Sequence, residues 1–228
     1  MLRAASRIFC VTPGANAGTT SRVGATARTV ASPLETTVTL LESGDQRVCL
    51  INSHFVFEMC PYSNLRRRKV AQALGIRPDR VLAFASHNHS DVLIARDLYR
   101  FGFPQFDAEM DEGDLTEEGR ETVAAAVEAA SRLPGELVPV DVWWGLGHER
   151  RITYNRKGRR ADGSTYLMRE EDRVLLAADF CGDIDDDASL VALKDKSGAP
   201  VCFLAQFTGH PATAYHPEDP VVFGAQHQ

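Results

Sequence analysis

The sequence predicts an α/β domain of mixed sheets with flanking helices. Three observations carry this. Two β-rich runs, Thr36–Ser43 and Arg47–Phe55, flank Gly44-Asp45, which is a hairpin pattern. Asn64–Leu74 and Thr122–Leu133 have the composition of helices, and each is stopped by glycine or proline. Between them Arg80–Ala85 (RVLAFA) is a buried strand pattern, so strands and helices alternate along the chain.

The elements follow in order. Residues 1–34 contain no Asp or Glu and carry Arg3, Arg7, Arg22 and Arg28 among Ser, Thr and Ala. That composition suits a Gly/Thr-rich loop or a targeting segment, and no apolar secretory core follows it. The domain proper is expected over residues 35–228. After the first hairpin, the helix at 64–74 has Leu65, Val70 and Leu74 on its apolar positions and ends at Gly75, with Pro78 beyond. The strand at 80–85 then runs directly into Ser86-His87-Asn88-His89-Ser90-Asp91. Asp114 and Glu117 form a capping-box pair ahead of the Ala-rich second helix, which stops at Pro134-Gly135. Glu136–Trp144 is a strand pattern, and Arg151–Gly163 has the polar composition of a loop. Ala188–Leu193 and Val201–Phe207 flank Asp195-Lys196-Ser197-Gly198 as a second hairpin, whose return strand delivers Thr208-Gly209-His210-Pro211. There is no internal repeat and no linker, so a single domain is expected.

Composition narrows the function classes. The 228 residues carry 25 Lys and Arg against 31 Asp and Glu, a formal charge of −6. Mild acidity argues against nucleic acid as the main partner, because a polyanion is bound by a basic face. No apolar run approaches the ~20 residues that span a bilayer. The five cysteines, at 10, 49, 60, 181 and 202, are odd in number and form no C-x-x-C, which argues against a four-cysteine zinc site or a redox dithiol.

His87 and His89 are two residues apart at the end of a strand pattern. In an extended segment i and i+2 face the same side, so both imidazoles can address one cation. The plainer alternative is a pair of surface histidines. His210 also follows an apolar strand directly; taken alone it is a turn histidine. His54 and His148 suit structural positions. Asp183-Ile184-Asp185-Asp186-Asp187 lacks the EF-hand glycine and glutamate, with Ala188 and Lys194 in their places, and so reads as a solvated acidic turn. Gly145-Leu146-Gly147 lacks the third glycine of a dinucleotide fingerprint, Gly14 to Thr20 lacks the P-loop lysine, and no G-x-S-x-G elbow occurs.

Taken together these pieces resemble a known family. Gly75-Ile76-Arg77-Pro78-Asp79-Arg80-Val81, continued by Ala85-Ser86-His87-Asn88-His89-Ser90, resembles the "GI-P-RV-…-SHTHSGP" pattern of the neutral ceramidases. Asp187–Thr213, a strand, turn and strand ending in Gly209-His210-Pro211-Ala212-Thr213, resembles their later "HPT" segment. Tyr154-Asn155-Arg156 resembles their "N-R" element, Val11-Thr12-Pro13 their opening "ITP", and Pro33–Phe55 the next hairpin, an apolar strand, Gly-Asp and another apolar strand. The chain departs from the pattern at Asn88, where the family has Thr, and at Asp91-Val92, where it has Gly-Pro.

The resemblance implies the N-terminal part of a ceramidase-type catalytic domain: a zinc-dependent amidase acting on an N-acyl, sphingolipid-like substrate. By position, His87 and His210 are its zinc ligands, His89 sits beside the metal and holds water or substrate, and Arg156 faces the substrate or the developing oxyanion. The family's remaining ligands, a Glu and a Tyr, and its nucleophilic Ser come after the second histidine. The resemblance thus covers roughly the first half of such a domain and leads one to expect a continuation supplying them. Two alternatives stand beside it. One is a metallo-β-lactamase-type hydrolase built on His87-x-His89-x-Asp91, with His148, Asp183 and His210 as further ligands. The other is a scaffold that has no catalytic role.

Overall fold

A computed structural model describes residues 1–14, 17–19, 29–58, 60–96, 109–159, 162–167, 182–210 and 221–223. The strands are β1 (Leu2–Val11), β2 (Thr29–Ser32), β3 (Leu34–Ser43), β4 (Gln46–Ser53), β5 (Val81–Ala85), β6 (Val138–His148), β7 (Lys157–Arg159), β8 (Thr165–Leu167), β9 (Asp187–Asp195), β10 (Pro200–Phe207) and β11 (Val221–Phe223). The described helices are α1 (Cys60–Leu74) and α2 (Glu117–Arg132). Seven strands form one mixed sheet in the order β10-β9-β6-β1-β3-β4-β5. The α/β architecture with mixed sheets and flanking helices is therefore as the sequence predicts. The chain, which shows no linker, nonetheless divides into two compact units. One comprises Met1–Asp141, Leu193–Cys202 and Pro211–Gln228; the other comprises Val142–Ala192 and Phe203–His210.

The first unit is built on β3 and β4. They pair antiparallel from Thr36↔Ser53 to Ser43↔Gln46 around the tight turn at Gly44-Asp45. Helix α1 then crosses over and β5 returns parallel to β4, from Cys49↔Val81 to Ser53↔Ala85. A parallel return needs such a crossover, and here the helix supplies it. The helix ends where Gly75 takes a φ of +63°, the left-handed conformation glycine adopts without strain. The core lies between sheet and helices. Val38, Leu40, Cys49, Ile51 and Val81 from the strands meet Val70, Ala71 and Leu74 of α1 and Ala126, Ala129 and Ala130 of α2. Burial pushes the Cys49 thiol up to about 12. On β5 only Val81 is buried, while Leu82 and Phe84 are largely exposed. This edge strand is covered on one face, where the unbroken apolar run suggested burial on both.

Three local expectations are corrected. Residues 2–11, given by their composition to a loop or targeting segment, form β1, which pairs antiparallel with β3 along its whole length and with β6 at Arg3 and Ala4. Its polar residues are absorbed by cross-strand partners: Ser6 Oγ lies 2.8 Å from Thr39 Oγ1, and Arg3 is paired with Glu42 at 2.7 Å. The second helix starts at Glu117 and is capped by Thr116, whose hydroxyl accepts from Gly119 N–H at 3.1 Å. Asp114 belongs instead to the preceding 3-10 turn, where it and Asp111 cap each other. Arg151–Gly163, expected as a loop, contains β7, which pairs with β8 just beyond it as a short hairpin in the second unit. Across it, the ring of Tyr166 occupies the space a side chain on Gly158 would need.

Among the described glycines of the first unit, Gly119 meets the closest neighbour. A Cβ there would stand 2.1 Å from the carbonyl oxygen of Ile94. The first turn of α2 therefore lies directly on the 93–95 backbone, which Thr116 also holds by donating to Leu93 O at 2.7 Å. Gly119→Ala is expected to cost about 1–3 kcal/mol by overpacking against backbone that has no flexible side chain to yield. A urea melt of the variant reads this as a lowered midpoint with an unchanged slope.

Candidate functional site

The site grows out of the carboxyl ends of parallel β4 and β5, where open α/β sheets commonly place their ligand crevices. The ladder between these strands does not stop with them. Ser86 N–H donates to Ser53 O at 3.0 Å, and Asn88 N–H donates to Phe55 O at 3.1 Å. Asn88 is fully buried; its Nδ2 donates to His54 O at 3.3 Å and its Oδ1 accepts from Ser90 N–H at 2.9 Å. The loop 86–91 is thus zipped onto 53–56.

His87 interrupts that ladder. Its φ of +60° is the only positive value at a non-glycine among the described residues. For an L-residue this costs on the order of 1–3 kcal/mol and persists only where the surroundings enforce it. The imidazole is held by its Nδ1, 2.8 Å from Val56 O, and lies edge-on to Phe57. A carbonyl only accepts, so Nδ1 carries the proton and Nε2 keeps its lone pair. His87 Nε2 faces His89 Nε2 at 3.3 Å, with the two rings nearly perpendicular. The two histidines named by the H-x-H pattern do come together, both partly buried.

Beneath them lies a charged pair with no signal in the sequence. Arg66 sits in the run Arg66-Arg67-Arg68-Lys69, which reads as the solvated face of a surface helix. Its side chain is instead wholly buried. It donates to Ser53 Oγ at 2.7 Å and to Glu58 Oε1 at 2.5 Å, and stacks 5.2 Å from the Tyr62 ring centre. Burial raises the Glu58 carboxyl, and the Arg66 guanidinium opposes that rise. Asp91 is likewise buried. Its Oδ2 accepts from Val56 N–H at 2.7 Å, and desolvation holds its carboxyl well above the ordinary range. A carboxylate so placed suits a support for the loop better than the open H-x-H-x-D metal triad of a lactamase-type site.

The other predicted residues belong to the second unit. His210 follows β10 and is exposed, and Arg156 is exposed in the segment before β7. His148, given a structural role by the sequence, ends β6 with its Nδ1 3.3 Å from Asp186 Oδ1 and 3.1 Å from Asp187 Oδ1. Arg150 also pairs with Asp186 at 3.0 Å. One ligand atom from each of His148, Asp186 and Asp187 lies within 4.8 Å of the others, so these three form a group that could hold a cation. Asp183, the lactamase-type candidate, is not in it. Among the described residues no helix is long and apolar enough to cross a membrane.

The arrangement of strands and helices is that of part of a neutral ceramidase. Two solved structures show it: the neutral ceramidase from Pseudomonas aeruginosa, with a TM-score of 0.69 and 17% identity, and a ceramidase complexed with C2, with 0.68 and 16%. Each match covers 98% of this chain and about a third of the other, 34% and 33% respectively. At that identity the likeness is one of fold. No protein-family model matches the sequence, and no curated protein matches it.

Arg66→Met would leave Glu58 buried without its counter-charge. The expected loss is about 3–5 kcal/mol, the usual result of breaking a buried ion pair from one side. The Glu58 carboxyl already titrates above its ordinary value, and without the guanidinium it rises further. A raised carboxyl favours the folded state at low pH and loses that contribution as pH climbs. The deficit relative to the parent protein is therefore largest at neutral pH and shrinks in mild acid, which denaturant melts across that range measure.

Proposed function

We propose that this chain is the histidine-bearing part of a zinc-dependent amide hydrolase of ceramidase type, acting on an N-acyl, sphingolipid-like substrate. The observation that carries this reading is the state of His87. A strained backbone and a carbonyl at Nδ1 leave the Nε2 lone pair directed at a second imidazole nitrogen 3.3 Å away. An imidazole that donates one nitrogen to a backbone carbonyl and offers the other is the usual form of a metal-bound histidine. The ceramidase fold supports the same reading.

In this proposal His87 and His210 hold the metal, as their positions in the family resemblance imply. Zinc, when bound, supplies Lewis acidity toward an amide carbonyl or a nucleophile. His89 holds water or a substrate oxygen beside it by hydrogen bonding through Nε2. Arg156 offers a permanent positive charge to the oxyanion that develops as the amide carbon becomes tetrahedral. Working zinc sites take three or more protein ligands. The family pattern places the others, with the serine nucleophile, in sequence after the second histidine, and this chain spans about a third of its structural neighbours' length.

Two outcomes are expected. The purified protein takes up zinc, and His87→Ala weakens that uptake by roughly tenfold or more, since losing a ligand costs at least as much as losing a ligand's hydrogen-bond partner. His148→Ala weakens it less. Zinc titration against a chelator decides: loss with His148→Ala and retention with His87→Ala would move the metal to the His148, Asp186 and Asp187 group. The 228 residues alone are also expected to hydrolyse N-acyl sphingosine slowly or not at all. Rapid zinc-dependent turnover in a fatty-acid release assay would show that the catalytic set lies within this chain and is a different one.

A further inference from the structure

The contacts around Val56 assign a role to a residue that the family pattern leaves without one. The peptide joining Phe55 to Val56 is gripped at both ends. Its carbonyl accepts from Asn88 N–H at 3.1 Å, and its N–H donates to Asp91 Oδ2 at 2.7 Å. The next carbonyl, that of Val56, is the one His87 Nδ1 meets at 2.8 Å. We propose that Asp91 is a positioning residue for His87. By fixing Val56 it holds the imidazole in the tautomer with Nδ1 protonated and the unprotonated Nε2 facing His89.

This assignment rests on the functional role given to His87 above and adds how that histidine is kept ready. The left-handed backbone at His87 takes it out of the strand ladder, so its orientation depends on contacts of the ring. The ring's hydrogen bond goes to a carbonyl of residue 56, just beyond the end of β4 in a segment of no regular structure. Such a segment keeps its carbonyl aimed only if its own N–H groups are engaged, and a buried N–H without an acceptor is costly. Asp91 is 1% exposed and supplies that acceptor from the far end of the same loop. The backbone N–H of Asn88 locks the other side of the peptide, so two residues of the 86–91 loop set the distance between His87 and its carbonyl. Where the family pattern reads Gly-Pro this chain has Asp91-Val92, so the support belongs to this chain.

The test uses the 228-residue protein with nitrogen-15-labelled histidine, free of metal, at a pH where the imidazoles are neutral. Long-range proton–nitrogen spectra report the tautomer of each ring, with His87 assigned by its loss in His87→Ala. His87 is expected in the Nδ1–H form. Asp91→Asn keeps an acceptor oxygen and should preserve that form, whereas Asp91→Leu has similar size without the acceptor and should yield a mixture or the Nε2–H form. With zinc ion alone as the probe, Asp91→Asn should bind within roughly threefold of the parent and Asp91→Leu roughly tenfold or more weakly, the range seen when a ligand's supporting contact is removed. The assignment is overturned by an Nε2–H His87 in the parent protein, by a change of tautomer in folded Asp91→Asn, or by a folded Asp91→Leu that keeps both tautomer and affinity. If Asp91→Leu does not fold, the parent and Asp91→Asn spectra decide. A parent protein that binds no zinc refutes the proposed function, and the metal-free tautomers still decide the role of Asp91.

Discussion

The arrangement depends on one constraint: the parallel pairing of β4 with β5 is carried past the ends of both strands. The bonds from Ser86 to Ser53 and from Asn88 to Phe55 extend the ladder into segments that would otherwise be loops. A loop tied in this way gives up conformational freedom once, when the sheet forms. His87 can then occupy a backbone conformation that a free loop would abandon, because its neighbours on both sides are already fixed. The strained residue is the one proposed to ligate the metal, in keeping with the tendency of strain to collect where function needs a defined geometry.

The same constraint explains the cost accepted beneath the loop. Arg66 and Glu58 are both removed from water, and a buried ion pair seldom improves on apolar packing. What this pair does is mechanical. Arg66 reaches from α1 to Ser53 Oγ at the last residue of β4 and to Glu58 a few residues further on. It thereby ties the crossover helix to the segment that carries Val56. On the other side, α2 presses on residues 93–95 through Thr116 and Gly119. The two described helices thus flank the histidine loop, each through a polar or backbone contact set against a packed core.

How much of this was legible in the sequence varied with the physics. Periodicity and turn chemistry are local, so both hairpins, both helices and β5 were readable from their residues. His87 and His89 were readable as a pair because an H-x-H at a strand end keeps two imidazoles close to one another. Arg66 was hidden, since a burial partner eight residues upstream leaves no mark on a run of basic residues. The part played by Val56 was hidden too, because its contribution is a carbonyl, which every residue possesses. β1 was missed because a strand flanked by partners on both sides can satisfy Ser, Thr and Arg across the ladder, and its sequence then lacks the alternation of a half-exposed strand. Asp114 was given the wrong turn because two overlapping cap patterns, Asp111 with Asp114 and Thr116 with Gly119, follow each other within a few residues.

The position of β1 carries a consequence for how the chain assembles on the ribosome. This strand lies inside the sheet, between β3 and β6. Its partner β3 emerges soon after it, so one edge is paired early. The other edge must wait for β6, which leaves the ribosome only after the two described helices have been made. In the interval a nascent chain presents an open strand edge of the kind that templates pairing with other chains. The small and charged residues of β1, Arg3, Ala4, Ala5, Ser6 and Arg7, make that edge a poor template during the wait.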